Sequence, residues 1–178
     1  MAHHFERTAK FQAQKTYDVN NKDDRQMLVD TLLHAADLSN PVLVHELSVI
    51  WSCRVAQEFQ AQAEMEREMG FPVTPHYNIS GPAEEANPAV AKLNVNFIDF
   101  VVAPLWIALE SLYPNLQGRL EVLTNNREMW KTRVELHETI VQGSEQQQKR
   151  QQEEEEEEEQ QQQQEKDGGA TDGQEEKS

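Results

Sequence analysis

Over its first 142 residues the chain places its apolar residues at helical spacing, and no stretch alternates apolar and polar residues with a period of two. A first helix is expected over about 2–15. A second begins after Asn21, a side chain suited to an N-cap, with Asp23 and Asp24 in the first turn. It carries Met27, Leu28, Leu32, Leu33, Ala35 and Ala36 and stops at Ser39-Asn40-Pro41. A third, long helix is predicted over about 44–69, with Leu47, Trp51, Val55 and Phe59 one turn apart and Gly70 and Pro72 as its stop. Residues 71–88 hold four prolines with Asn78, Ser80 and Gly81, so they read as a loop, and loops this long are often functional. A fourth helix covers about 89–112 with a kink expected at Pro104. A fifth follows Pro114-Asn115 and carries Leu116, Leu120, Leu123, Trp130 and Val134 to about 141. The expected class is all-α.

The pattern ends near Gln142–Gly143, giving an ordered part over 1–142 and a tail over 143–178. The tail contains seven consecutive glutamates (Glu153 to Glu159), then five glutamines, and Ala170 is its only apolar residue. It offers no surface whose burial could offset the entropy of ordering, and seven adjacent like charges oppose a helix that Glu and Gln otherwise favour. The tail is therefore expected to be disordered or a fraying continuation of the fifth helix. The formal net charge of −16 divides into −9 for the tail and −7 for the rest, so both parts repel a phosphate backbone and nucleic-acid binding is not expected. A single cysteine, Cys53, excludes an internal disulfide and a CxxC-type zinc site and fits a reduced, cytoplasmic setting. The start of the chain has no apolar signal-peptide core. The longest apolar run, 100–109, is about half of the roughly 20 residues a membrane helix needs, so no transmembrane segment is expected.

Three clusters could carry chemistry. In His34-Ala-Ala-Asp37-Leu-Ser-Asn40-Pro41 the histidine and aspartate are three residues apart and share a helix face. A carboxylate at a helix C-terminus meets the negative end of the dipole, and a divalent cation would relieve it. The alternative is a packed histidine and a carboxylate that braces the next turn, and spacing alone favours this one. In Lys92-Leu-Asn94-Val-Asn96-Phe97 an amide beside an aromatic face could read the edge of a purine while the ring stacks on it. The alternative has Phe97 and Phe100 in the core and both asparagines in solvent. In the third, Trp51, Val55 and Phe59 read as core, with Ser52 bonding its own backbone. Cys53 has Arg54 as its only basic neighbour, which is little support for a reactive thiol.

These clusters, in this order, resemble the catalytic domain of the class I cyclic nucleotide phosphodiesterases. The resemblance rests on 33–41 (LHAADLSNP), 51–59 (WSCRVAQEF), 66–70 (EREMG), Pro75, 97–106 (FIDFVVAPLW) and Asn126-Arg127-Glu128, and it covers residues 1 to about 130. It implies the C-terminal part of an all-helical domain that hydrolyses cAMP or cGMP with a divalent metal pair, zinc with magnesium or manganese. By the same resemblance Asp37 is a metal ligand, with His34 supporting its helix. Asn40, Ser52, Val55, Phe59, Asn94 and Phe97 line the nucleotide pocket, where Phe97 stacks on the base and Val55 is the opposing apolar jaw.

Two departures qualify this. The family's metal-binding histidines, its other metal aspartate and its proton-donor histidine belong to a stretch that precedes the segment matching Met1. No catalytic residue is therefore assigned here, Asp37 is the one metal ligand, and the implied partner is the N-terminal half of the domain; His4 matches a non-catalytic histidine. The second departure is Asn94, which stands where a purine-reading glutamine is expected, one methylene shorter, while Asn96 replaces a glycine-like position and adds bulk beside the pocket. Two readings result: a portion of a cyclic nucleotide phosphodiesterase, or a catalytically inactive helical module that binds a partner or a nucleotide.

Overall fold

The computed structural model describes residues 2–14 and 16–168, and no strand occurs among them. Six α-helices follow in order: α1 (Ala2–Ala13), α2 (Lys22–Asp37), α3 (His45–Glu68), α4 (Pro88–Phe97), α5 (Ala103–Leu112) and α6 (Gln117–Gly168). Short 3-10 turns stand at Asn40–Val42, Pro75–Tyr77 and Pro114–Leu116. The first compact unit ends at Glu135, somewhat before the expected boundary, and the second begins at Leu136. In that second unit, of the two states expected for the tail, helical continuation is the one seen as far as Gly168. Gln and Glu propagate a helix well, and no proline interrupts the run. The expectation for 169–178 falls outside the described residues.

Helix ends follow local chemistry. Asn21 caps α2 by accepting the amide hydrogens of Asp23 and Asp24 at 2.8 and 3.4 Å. At the end of α3, Gly70 takes φ +73°, so the Gly70 amide donates to Arg67 O (3.0 Å) and the Phe71 amide to Glu66 O (2.8 Å). These are the two bonds that close a helix through a left-handed residue, and glycine adopts that φ without a Cβ penalty. Asn87 caps α4 through Ala89 N (2.8 Å) and ties the preceding loop by donating to Ser80 O and Pro82 O.

Pro104 acts differently from the expected kink. Residues Ile98–Val102 form a π-helical turn between α4 and α5, in which the amide of Ala103 donates to the carbonyl of Ile98, five residues back. Proline has no N–H to donate, and its ring collides with the carbonyl four residues earlier, so one extra residue is taken into the turn. The segment Pro88–Leu112 is long and apolar enough to cross a bilayer by length and composition. In this unit it supplies the core instead: Val90, Ala91, Ile98, Val102, Leu105 and Leu109 are buried there with Phe11 of α1 and Leu123 and Trp130 of α6.

The stripe Leu47, Trp51, Val55, Phe59 is not core. Trp51 is 48 % exposed, Leu47 is exposed, and Val55 and Phe59 are half-buried. The buried face of α3 is Ser48, Ser52, Ala56 and Ala63. Small residues let the helix backbones approach closely, so hydrophobicity alone points to the wrong face here. Phe100, read as core beside Phe97, is 65 % exposed.

The buried ring of His4 joins α1, α2 and the π turn. Its Nε2 lies 3.1 Å from Val101 O, which can only accept, so Nε2 carries the hydrogen and Nδ1 accepts from His34 Nε2 at 2.7 Å. Burial first, and then His34, lower the pKa of His4 below its ordinary value. The unfolded chain therefore binds its proton before the folded one does. Stability is complete above about pH 6.5, the ordinary histidine value, and falls as pH drops through it toward the lower folded value. The thermal midpoint of the full chain should thus fall between pH 7.5 and 5.5, and His4→Asn should flatten that slope. An unchanged slope in the variant would refute this role for His4.

Candidate functional site

Beside the C-terminus of α2, between α3 and α4, lies a cavity of about 270 Å³. It is lined by Asp37, Leu38, Asn40, Ser52, Val55, Phe59, Leu93, Asn94 and Phe97. Every residue assigned from the sequence to metal or nucleotide contact is on this wall. His34 lies elsewhere: it is part of the pair with His4 that anchors α2 one turn before Asp37.

Each side chain is positioned by its own element. Asp37 is the last residue of α2 and is exposed at the lip. Asn40 opens the 3-10 turn that follows, fixed by the Val42 amide on Ser39 O (3.0 Å) and the Leu43 amide on Asn40 O (3.3 Å). Ser52, Val55 and Phe59 lie along α3 at successive turns, and Leu93, Asn94 and Phe97 share one face of α4. Phe59 is backed by Tyr77, whose ring stacks on it with centroids 4.4 Å apart.

Asn94 and Ser52 form the polar floor. Asn94 is 6 % exposed and Ser52 4 %. The Ser52 hydroxyl donates to Asn94 Oδ1 at 2.7 Å, and Asn94 Nδ2 donates to Val90 O at 2.8 Å. Ser52 thus bonds across to another helix instead of to its own backbone. Asn94 keeps one amide hydrogen and one oxygen lone pair for a ligand, in an orientation set by the other two bonds. Asn96 is exposed and stands outside the cavity lining, so the expectation that it adds bulk beside the pocket is corrected. On an α-helix a shift of two residues turns a side chain to the far face.

Leu38, Leu93 and Tyr77 were not singled out from the sequence. Leu93 was legible as the residue one turn before Phe97 on the same face. Tyr77 was not, because its place depends on how the loop folds back onto α3. That return is held by Gln60, which donates to Ile79 O (2.9 Å) and Gly81 O (2.7 Å), and by Glu66, which accepts from the Thr74 amide (2.9 Å). The backbone bond from Thr74 also keeps the Glu66 carboxyl below its ordinary pKa. The Cys53 thiol is half-buried, and burial pushes its pKa up, the opposite of an activated thiol.

The wall is apolar with three neutral polar groups and one carboxylate. Such a surface suits a flat heteroaromatic ring, with an amide and a hydroxyl at its edge and a charged group toward Asp37. Among the described residues no group of three or more His, Cys, Asp or Glu side chains is placed to hold a metal ion. Asp37 is a single carboxylate donor, so these residues do not by themselves fit a metal pair.

Comparison with known proteins gives the family. The family model of the 3'5'-cyclic nucleotide phosphodiesterases matches residues 1–123. The 3',5'-cyclic-nucleotide phosphodiesterase regA of Dictyostelium discoideum is 36 % identical over 141 residues, 78 % of this chain and 17 % of that protein. The 3',5'-cyclic-AMP phosphodiesterase 4C of Mus musculus is 32 % identical over 129 residues, 72 % of this chain and 18 % of that protein. The solved phosphodiesterase domain of the RhoPDE fusion protein from Salpingoeca rosetta superposes with a TM-score of 0.71 at 30 % identity, over 78 % of this chain and 44 % of that one. The chain therefore spans under a fifth of these two curated relatives and less than half of that solved domain. With more than half of its length matched by the family model, and the matched segment carrying the cavity wall, the chain belongs to the 3'5'-cyclic nucleotide phosphodiesterase family.

Proposed function

We propose that this chain supplies the nucleotide-holding wall of a cytoplasmic cyclic nucleotide phosphodiesterase domain that hydrolyses cAMP, cGMP or both, its other half being the preceding segment of the domain. The observation that carries this reading is the cavity in which Asn40, Ser52, Val55, Phe59, Asn94 and Phe97 meet at one lip with Asp37. Phe97 offers a face for the purine and Val55 the opposite jaw, while Asn94 offers one donor and one acceptor to the base edge. The phosphate would lie toward Asp37. Two anions in contact repel, and Asp37 would be one ligand of a divalent metal pair, zinc with magnesium or manganese, which would supply neutralisation of phosphoryl charge and activation of water. The remaining ligands belong to the partner half.

The test uses the full chain in two steps. Titration with cAMP and cGMP should give saturable binding to the chain. Hydrolysis to the 5'-nucleotide should arise only after mixing with the separately produced preceding half of the domain from the Dictyostelium relative and a divalent metal. Saturable binding with no hydrolysis in the mixture would favour the inactive binding module. Absence of binding by both the chain and the mixture would overturn the assignment of the cavity.

A further inference from the structure

We infer that Asn126 and Arg127, neighbours on α6, brace two opposite walls of the cavity, Asn126 holding the turn that carries Asn40 and Arg127 the segment that follows Phe97. The inference rests on reading the cavity as the nucleotide site, and it gives Asn126-Arg127 a positioning role at a distance from the ligand.

Three consecutive carbonyls of the chain after Asn40 receive side-chain donors from α6. Asn126 Nδ2 donates to Pro41 O at 2.8 Å and to Leu43 O at 2.9 Å, and Arg119 Nη1 donates to Val42 O at 3.3 Å. Both amide hydrogens of Asn126 are thereby used, which fixes its orientation. Its Oδ1 must accept from His45 Nδ1 at 3.1 Å, so Nδ1 carries a hydrogen. Asn126 is 1 % exposed, so water cannot replace these bonds. Among the common side chains only a carboxamide offers two hydrogens to two carbonyls and an oxygen to an imidazole from one group, and asparagine carries it on the shorter stem. Aspartate at 126 would set a carboxylate oxygen against the carbonyls it replaces a donor to.

The next residue holds the other wall. Arg127 Nε and Nη2 donate to the two oxygens of Asp99 at 2.5 and 2.8 Å, a bidentate pair, while Nη1 reaches Glu128 Oε1 at 2.7 Å. Asp99 lies in the π turn, two residues beyond Phe97. Successive residues on an α-helix point about 100° apart, which aims Asn126 and Arg127 at different neighbours from one rigid segment. The separation of the Asn40 wall from the Phe97 wall is then set by α6, which contributes no side chain to the cavity lining.

Hydrogen exchange by mass spectrometry on the full chain, paired with titrations of cAMP and cGMP, tests this. Asn126→Asp and Asn126→Ala should speed exchange over residues 40–44 by about tenfold or more while leaving 98–103 nearly unchanged. Arg127→Lys and Asp99→Asn should do the reverse, and the double variant should be no worse than the poorer single one, as for partners of one bond. All four should weaken both nucleotides by about tenfold or more, the usual consequence of losing a charged or buried hydrogen bond that orders the site. Two results would overturn the brace: exchange that rises uniformly through every helix even in the conservative Arg127→Lys and Asp99→Asn, or affinities that stay at the wild-type value while the segments loosen. If the wild-type chain binds neither cAMP nor cGMP, the proposed function fails, and the brace then stands or falls on the segment-selective exchange.

Discussion

Phe97→Ala weakens the binding of cAMP and of cGMP together, by roughly 5- to 150-fold, the range that corresponds to about 1–3 kcal/mol of lost base stacking. The loss should be common to both nucleotides because each purine presents the same kind of π-face, whereas Asn94 is the residue proposed to meet the base edge. Phe97 also packs against the core, so truncation costs stability as well. Phe97→Leu separates the effects: it keeps most of the apolar volume and removes the ring, so affinity should fall while the thermal midpoint stays near that of the parent. Asn96→Ala is the neighbouring control, since Asn96 is exposed and outside the cavity. Calorimetric titration of the chain, alone or completed by the preceding half of the domain, reads all three variants. Equal loss in Phe97→Ala and Asn96→Ala, or a preference for one nucleotide that appears only in Phe97→Ala, would show that the ring does not stack on the base.

Much of this site was legible because the residues that build it break local rules. Asn94 is a poor helix former on an apolar helix, and Asp37 is an acid at the wrong end of a helix dipole. Such departures mark positions where something other than folding chose the residue. Helix existence was equally legible, since Asn21, Gly70 and the prolines punctuate the pattern by local chemistry. The errors have a common cause: they concern which face of a helix turns inward. Trp51 and Phe100 are large and apolar, yet both are exposed, while Ser52, Ala56 and Asn94 are buried. Burial depends on what packs against a face, and that information lies in distant segments. The α2 face with Val29, Leu32 and Leu33 is exposed in the same way.

The π turn and the roles of Asn126 and Arg127 were not legible. Pro104 signals a disturbance in the helix but does not say whether the backbone bends or takes in an extra residue. Asn126-Arg127-Glu128 enters the sequence reading as one of the motifs of the resemblance, with no role for any of its side chains. Only the fold shows that one of its residues is buried against three groups and that the next grips Asp99 across 28 residues of sequence.

Trp130→Ala should cost about 3–5 kcal/mol of folding stability, the usual range for truncating a fully buried tryptophan. Trp130 is 0 % exposed and lies one turn after Asn126, so it anchors the stretch of α6 that carries the brace. The Arg133 guanidinium lies over its ring, 5.2 Å from the centroid, and the His45 ring is 6.5 Å away. The indole Nε1 is buried without a hydrogen-bond partner among the described residues. Trp130→Phe removes that donor but deletes only part of the buried ring system, so it should cost clearly less than alanine, which leaves the larger void. Urea unfolding followed by circular dichroism gives both values from the shift in midpoint at constant slope. If phenylalanine proved as costly as alanine, the indole N–H would have a bonded partner after all. If alanine proved nearly neutral, α6 would not be packed at this point, and the support it gives to Asn126 would go with it.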